Sequence, residues 1–153
     1  MWTHYGDGER GYLIEFDTNH PWFLQTRGPE DGFRQLRAVK YASSRDPKFI
    51  FDLDDDDVLY TKDEQYSSEK EWRLILNFNQ AESKVGQDAY GTDVLLFSIP
   101  PECITGVVIG PRANPASTSS LKKAVGANPA LSHVTFKKAV RVDDEITLVP
   151  DDQ

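Results

Sequence analysis

The chain has 153 residues, with 39% hydrophobic and 11% aromatic side chains. That is enough to close one ordinary core and too apolar for a disordered tail. Seventeen Lys and Arg against 25 Asp and Glu leave a net charge of -8, which repels nucleic-acid phosphates and anionic lipid on average. No apolar run approaches the length of a membrane span, and one cysteine cannot close an internal disulfide. A cytoplasmic protein without a signal peptide is the expectation.

In chain order, Gly6-Asp7-Gly8-Glu9-Arg10-Gly11 reads as a turn-rich stretch leading into a strand over 12–16. Tyr12, Ile14 and Phe16 share one face of that strand. His20-Pro21-Trp22-Phe23 is expected to begin a short helix or an aromatic turn. A second strand is expected over 36–41. The stretch 49–60, acidic at Asp52 and Asp54 to Asp57, is ambiguous, with Val58-Leu59-Tyr60 either a helical turn or a short strand. Residues 60–70 read as a loop or short helix.

The alternation of Trp72, Leu74, Leu76 and Phe78 predicts a strand over 71–78 with those four on its apolar side. A polar, hairpin-like insertion follows over 80–92, then a buried strand over 93–99 stopped by Pro100-Pro101. A strand over 104–109 closes at Gly110-Pro111. Ser117, Thr118 and Ser119 are candidate caps of a helix ending near Gly126. Short strands are expected over 134–136, 139–142 and 145–149. Regular βαβ crossovers are not evident, so the prediction is an α+β fold. It is a single domain over 1–153, with a mixed, mostly antiparallel sheet and two or three short helices.

Several motifs carry little chemistry. Gly6-x-Gly8-x-x-Gly11 has dinucleotide-loop spacing, but a strand follows it where a helix is required. Asp52, Asp54 and Asp56 match the first ligands of a calcium loop, yet Asp57 replaces the turn glycine and Asp63 the final glutamate. His4, His20, His133 and Cys103 lack metal-ligand spacing, so no metal site is expected. Cys103 reads as a buried, inert thiol. His133 with Ser132 and Asp143 could be drawn as a triad, a combination too common to weigh.

Two clusters are chemically suggestive. In extended conformation Glu69, Glu71 and Arg73 point to one side, opposite Trp72 and Leu74. Paired carboxylates can hold a ribose hydroxyl pair or stabilise a cationic transition state, and their repulsion should raise the pKa of one. The alternative is a solvent face with an exposed ion pair. The second cluster is Trp2, His4 and Tyr5 with Glu15, able to grip a ligand by stacking and hydrogen bonding. Its alternative is an apolar turn in which Trp2 covers the sheet.

Met1-Trp2-Thr3-His4-Tyr5-Gly6-Asp7, followed by Gly11 through Asp17, resembles the signature of the bacterial family Domain of unknown function 2971. Val39-x-Tyr41, Lys62 followed by Glu69, Glu71, Trp72 and Arg73, and Ile104 through Gly110 resemble its later blocks. The likeness covers about residues 1–112, and residues 113–153 match only loosely. Proteins of that family carry a further amino-terminal stretch before the Met-Trp motif, so the resemblance implies a truncated product, a misplaced start or a fragment.

The order of Tyr and then Glu-x-Glu on a strand edge also looks like the ADP-ribosyltransferase superfamily, which implies a truncated form of that fold. Carried over, Glu71 becomes the catalytic carboxylate and Glu69 its helper. Tyr5 or Tyr41 becomes the ring facing nicotinamide, and His4 or Arg73 meets ribose or pyrophosphate. NAD is the cofactor under that reading alone, in a toxin or phage-defence setting. Two other functions stand beside it: a domain of this family whose motifs are structural, and a noncatalytic acidic module that binds a basic protein partner.

Overall fold

The computed structural model describes residues 5–25, 35–43, 58–143 and 145–151. Those residues carry, in chain order, β1 (Tyr12–Phe16), β2 (Arg37–Ala38), β3 (Lys40–Ala42), β4 (Thr61–Asp63) and β5 (Trp72–Arg73). After them come β6 (Ser83–Gln87), β7 (Asp93–Leu96), β8 (Ile104–Ile109), β9 (Thr135–Val142) and β10 (Glu145–Pro150). With the helix α1 (Pro115–Gly126) and short 3-10 turns between strands, this is a mixed α+β fold. The chain divides into two units, one of residues 1–18 with 99–153 and one of residues 19–98.

The first unit is built on a four-stranded sheet in the order β1-β8-β9-β10. β1 lies antiparallel to β8, from Tyr12 opposite Ile109 to Phe16 opposite Ile104. Val107, Val108 and Ile109 are all buried, as β-branched residues of a central strand should be. Cys103 and Ala139 complete that core at 0% exposure. β8, α1 and β9 form a parallel crossover, with Gly106 opposite Thr135 and Ile109 opposite Lys138. This corrects the expectation that such crossovers are missing. The crossover was hidden because α1 is rich in Ser and Thr and has no buried residue. Its cap is also not a Ser or Thr: the Asn114 side chain accepts from the Ala116 and Ser117 amides, and Pro115 opens the helix.

The glycine loop ahead of β1 turns tightly. Gly11 donates to the Gly6 carbonyl at 2.8 Å, and Asp7, Gly8 and Glu9 all have positive φ. Gly110 then donates to the Gly11 carbonyl, and Arg112 to the Glu9 carbonyl, each at 3.0 Å. The motif is a turn seated on the end of β8.

In the second unit, residues 37–42 are the organising segment. Their first half pairs antiparallel with β5, placing Ala38 opposite Trp72. Their second half pairs in parallel with β4, placing Tyr41 opposite Lys62. Buried Val39 joins the halves, its N–H donating to the Glu71 carbonyl at 2.9 Å. Residues 61–63 and 71–73 are thereby brought to one short stretch of chain. Among the described residues of this unit, Phe23 and Tyr60 are the other buried apolar ones.

Two strand expectations need correction here. Only Trp72–Arg73 of the span 71–78 is strand, and Trp72 is 61% exposed rather than on a buried face. Asn77 begins a 3-10 turn through a reciprocal capping box with Gln80, which ends any extended run. Residues 80–92 hold β6 and the turn of a hairpin whose second strand is β7, and β7 is exposed at Asp93, Val94 and Leu96 where a buried strand over 93–99 was expected.

Candidate functional site

Alternation along the strand and the turn before it set the site. Lys70 adopts a left-handed conformation, φ 48° and ψ 44°, and redirects the chain between Glu69 and Glu71. Glu69 ends a 3-10 turn that begins at an Asp63 cap, and Glu71 leads into β5. Glu71 and Arg73, two apart on one side, meet in a two-bond contact. Arg73 Nε reaches Glu71 Oε1 at 2.6 Å, and Nη2 reaches Oε2 at 3.2 Å.

Lys62 bridges the two carboxylates. Its Nζ lies 2.5 Å from Glu69 Oε2 and 3.2 Å from Glu71 Oε2, and 4.9 Å from the Tyr66 ring centre. Arg73 Nη1 continues to the Leu59 carbonyl at 2.6 Å. The backbone N–H of Glu71 donates to the Tyr41 hydroxyl at 2.8 Å. Two anions and two cations therefore form a neutral, partly buried network pinned by Tyr41.

The electrostatics follow the contacts. The Arg73 hydrogen bond, joined by that of Lys62, holds the Glu71 carboxyl below its usual 4.5 against the opposing effect of burial. The Lys62 ammonium is raised well above 10.5, chiefly by the Glu69 hydrogen bond, with Glu71 adding to it. The expected repulsion between the carboxylates does not raise the pKa of Glu71, because Lys62 and Arg73 stand against them.

The structure thus brings together Glu69, Glu71, Arg73 and Tyr41. Tyr5 belongs to the other unit and is exposed, while His4 and Trp2 lie outside the described residues. Glu15, grouped with them in the sequence, takes both 2.8 Å bonds from Lys137. Lys62 is the residue that sequence reasoning left without a role. Its bridging position depends on the parallel pairing of a three-residue polar strand, which no periodicity announces.

His133 Nε2 donates to the Ile104 carbonyl at 2.9 Å, which occupies the nitrogen a triad would need. Cys103 is buried, and burial together with Glu102 and Asp17 raises its pKa. The aspartate run at 52–57 lies outside the described residues. Among the described residues, no group of three or more His, Cys, Asp or Glu is arranged to hold a metal ion. No helix of the described residues is long and apolar enough to cross a membrane.

Residues 1–74 match the family model described as Protein of unknown function (DUF2971). Over that stretch, just under half of its length, the chain is similar to DUF2971 proteins. The DUF2971 match takes in Tyr5, Tyr41, Lys62, Glu69, Glu71 and Arg73, and so covers the whole ion network. It ends at Leu74, short of the likeness to residue 112 expected from the Ile104–Gly110 block. No curated protein and no solved structure matches the chain.

Proposed function

We propose that this chain is a noncatalytic binding domain whose β6–β7 hairpin docks a basic protein partner, in a cytoplasmic setting. One observation carries the reading. By alternation, Val85, Val94 and Leu96 share one face of the hairpin, and they are 59%, 38% and 48% exposed. A two-stranded ribbon has little stability of its own, and an open apolar face on it gains from a partner. Glu82, Asp88 and Asp93 against Lys84 make the segment acidic, which selects for basic chemistry.

The ion network supports a structural rather than a catalytic role for Glu71. Its charge is already compensated by Arg73 and Lys62. Little field remains for a cation developing on a substrate. The test is affinity capture with a tagged chain at low and raised salt, run beside a Val94→Ser/Leu96→Ser variant. The expected result is a partner released by salt and not retained by the variant. A partner retained equally by both proteins would overturn the hairpin assignment.

A second reading, NAD-dependent ADP-ribosyl transfer, draws on the meeting of Tyr41, Glu69, Glu71 and Arg73 in one network. A carboxylate that faces an oxocarbenium must be ionised, and the lowered pKa of Glu71 meets that condition. To act, Glu71 would have to exchange Lys62 for the sugar. Release of nicotinamide from NAD, lost in a folded Glu71→Gln variant, would establish this reading and displace the first.

A further inference from the structure

The unit of residues 1–18 and 99–153 contains a cavity of 360 Å³ that the ion network does not involve. It lies outside the carboxyl end of β8, where Gly110-Pro111 turns the chain toward α1. In open α/β sheets the carboxyl ends of strands are where ligand crevices form. One face of α1 forms a wall, because Pro115, Thr118, Ser119 and Lys122 follow the spacing of one helical stripe. Lys138, opposite Ile109 in the parallel ladder, forms the facing wall.

Charge in the cavity is unbalanced. Lys122 Nζ is 3.0 Å from Asp151 Oδ2, and that pair is neutral. On β9, Lys137 is paired with Glu15 and Arg141 with Glu9. Lys138 has no acidic partner among the described residues, so one uncompensated cation lines the space. Ser119 lines the same space, and the Thr118 hydroxyl is shared with Tyr12 at 3.2 Å. The first amides of α1 contribute nothing, since the Asn114 side chain already occupies them.

We infer that this cavity binds a small phosphate monoester. Hydroxyls and a lysine approaching from different walls suit a tetrahedral group with acceptors in several directions. A planar carboxylate is served better by an arginine fork, and no arginine lines the cavity. Ile109, Pro111 and Pro115 give apolar contact to the esterified body.

The test is titration of the full chain, followed by amide chemical shifts, with phenyl phosphate, inorganic phosphate, benzoate and phenol. Saturating shifts at Ser119, Lys122 and Lys138 are expected with phenyl phosphate. Inorganic phosphate should bind more weakly, benzoate more weakly still, and phenol without saturation. Lys138→Met should weaken phenyl phosphate about tenfold or more. Lys123→Met, on the same helix but outside the cavity lining, should leave affinity unchanged. Absence of saturation, equal affinity for benzoate, or undiminished binding by a folded Lys138→Met variant would each overturn the assignment.

Discussion

The Tyr41 hydroxyl accepts the backbone N–H of Glu71 at 2.8 Å, joining two residues thirty positions apart in the chain. The bond falls immediately after Lys70, the one residue of the segment with a left-handed backbone. It therefore fixes where the chain re-emerges to pair with residues 37–38. It also gives the tyrosine a duty that stacking on a ligand does not require.

Removing that hydroxyl tests the duty. Tyr41→Phe keeps the ring and leaves the Glu71 N–H without its acceptor. The expected cost is about 1 kcal/mol, the usual net worth of such a bond. Urea midpoints of the two proteins measure it. A ring used only to face a ligand would give coincident unfolding curves.

The Glu71–Lys62 pair should mark stability at both ends of the pH scale. Glu71 has a folded pKa below its ordinary 4.5, lowered first by Arg73 and then by Lys62. Its contribution is full above 4.5 and fades as pH falls below that value toward the folded pKa. Lys62 has a folded pKa above its ordinary 10.5, so its contribution is full below 10.5 and is lost as pH rises beyond. Glu71→Gln should lower stability at neutral pH by about 1–2 kcal/mol and flatten the acid limb. Lys62→Met should flatten the alkaline limb. Urea unfolding across a pH series reads both, and parallel curves for variant and parent would refute the network's role.

Where the sequence was legible, the reason is local. Tyr12–Phe16 and Ile104–Ile109 occupy the spans expected, since each is an apolar run bounded by glycine or proline. Glu71 and Arg73 face one side because two residues on a strand must. Non-local pairing was not legible. Thr61–Asp63 has no apolar residue to betray a strand, and its register alone puts Lys62 beside Tyr41. The alternation through Phe78 misled because Asn77 and Gln80 satisfy backbone groups locally and turn the chain. An apolar period states which residues could share a face, and a capping box decides whether the strand lasts long enough to make one.

Cys103 provides a probe of local opening. It is 0% exposed, and burial raises its pKa, so the thiolate that reacts with disulfide reagents is both scarce and screened. The thiol should react slowly in the native protein and quickly in denaturant. Its rate should track the unfolding free energy when residues 99–153 are destabilised. Immediate stoichiometric labelling in native buffer would contradict the buried placement.

Gly110 is required by crowding rather than by backbone angle. A β-carbon there would come within 2.6 Å of the Gly11 carbonyl and would also press on the Glu9 carbonyl. Both obstacles are backbone, so neither can swing aside. Gly110→Ala must displace the loop of residues 6–11 or the end of β8. It would disturb the Gly110–Gly11 and Arg112–Glu9 bonds together. The expected cost is about 1–3 kcal/mol, the range for forced overpacking. Gly126 is the control, because a β-carbon there meets nothing within 4 Å. It closes α1 without a positive φ, so Gly126→Ala should be neutral or stabilise by up to about 1 kcal/mol. Thermal melts of the two variants should move in opposite directions or, at the least, separate clearly. Equal melting temperatures would mean that the loop is not seated on β8 in solution.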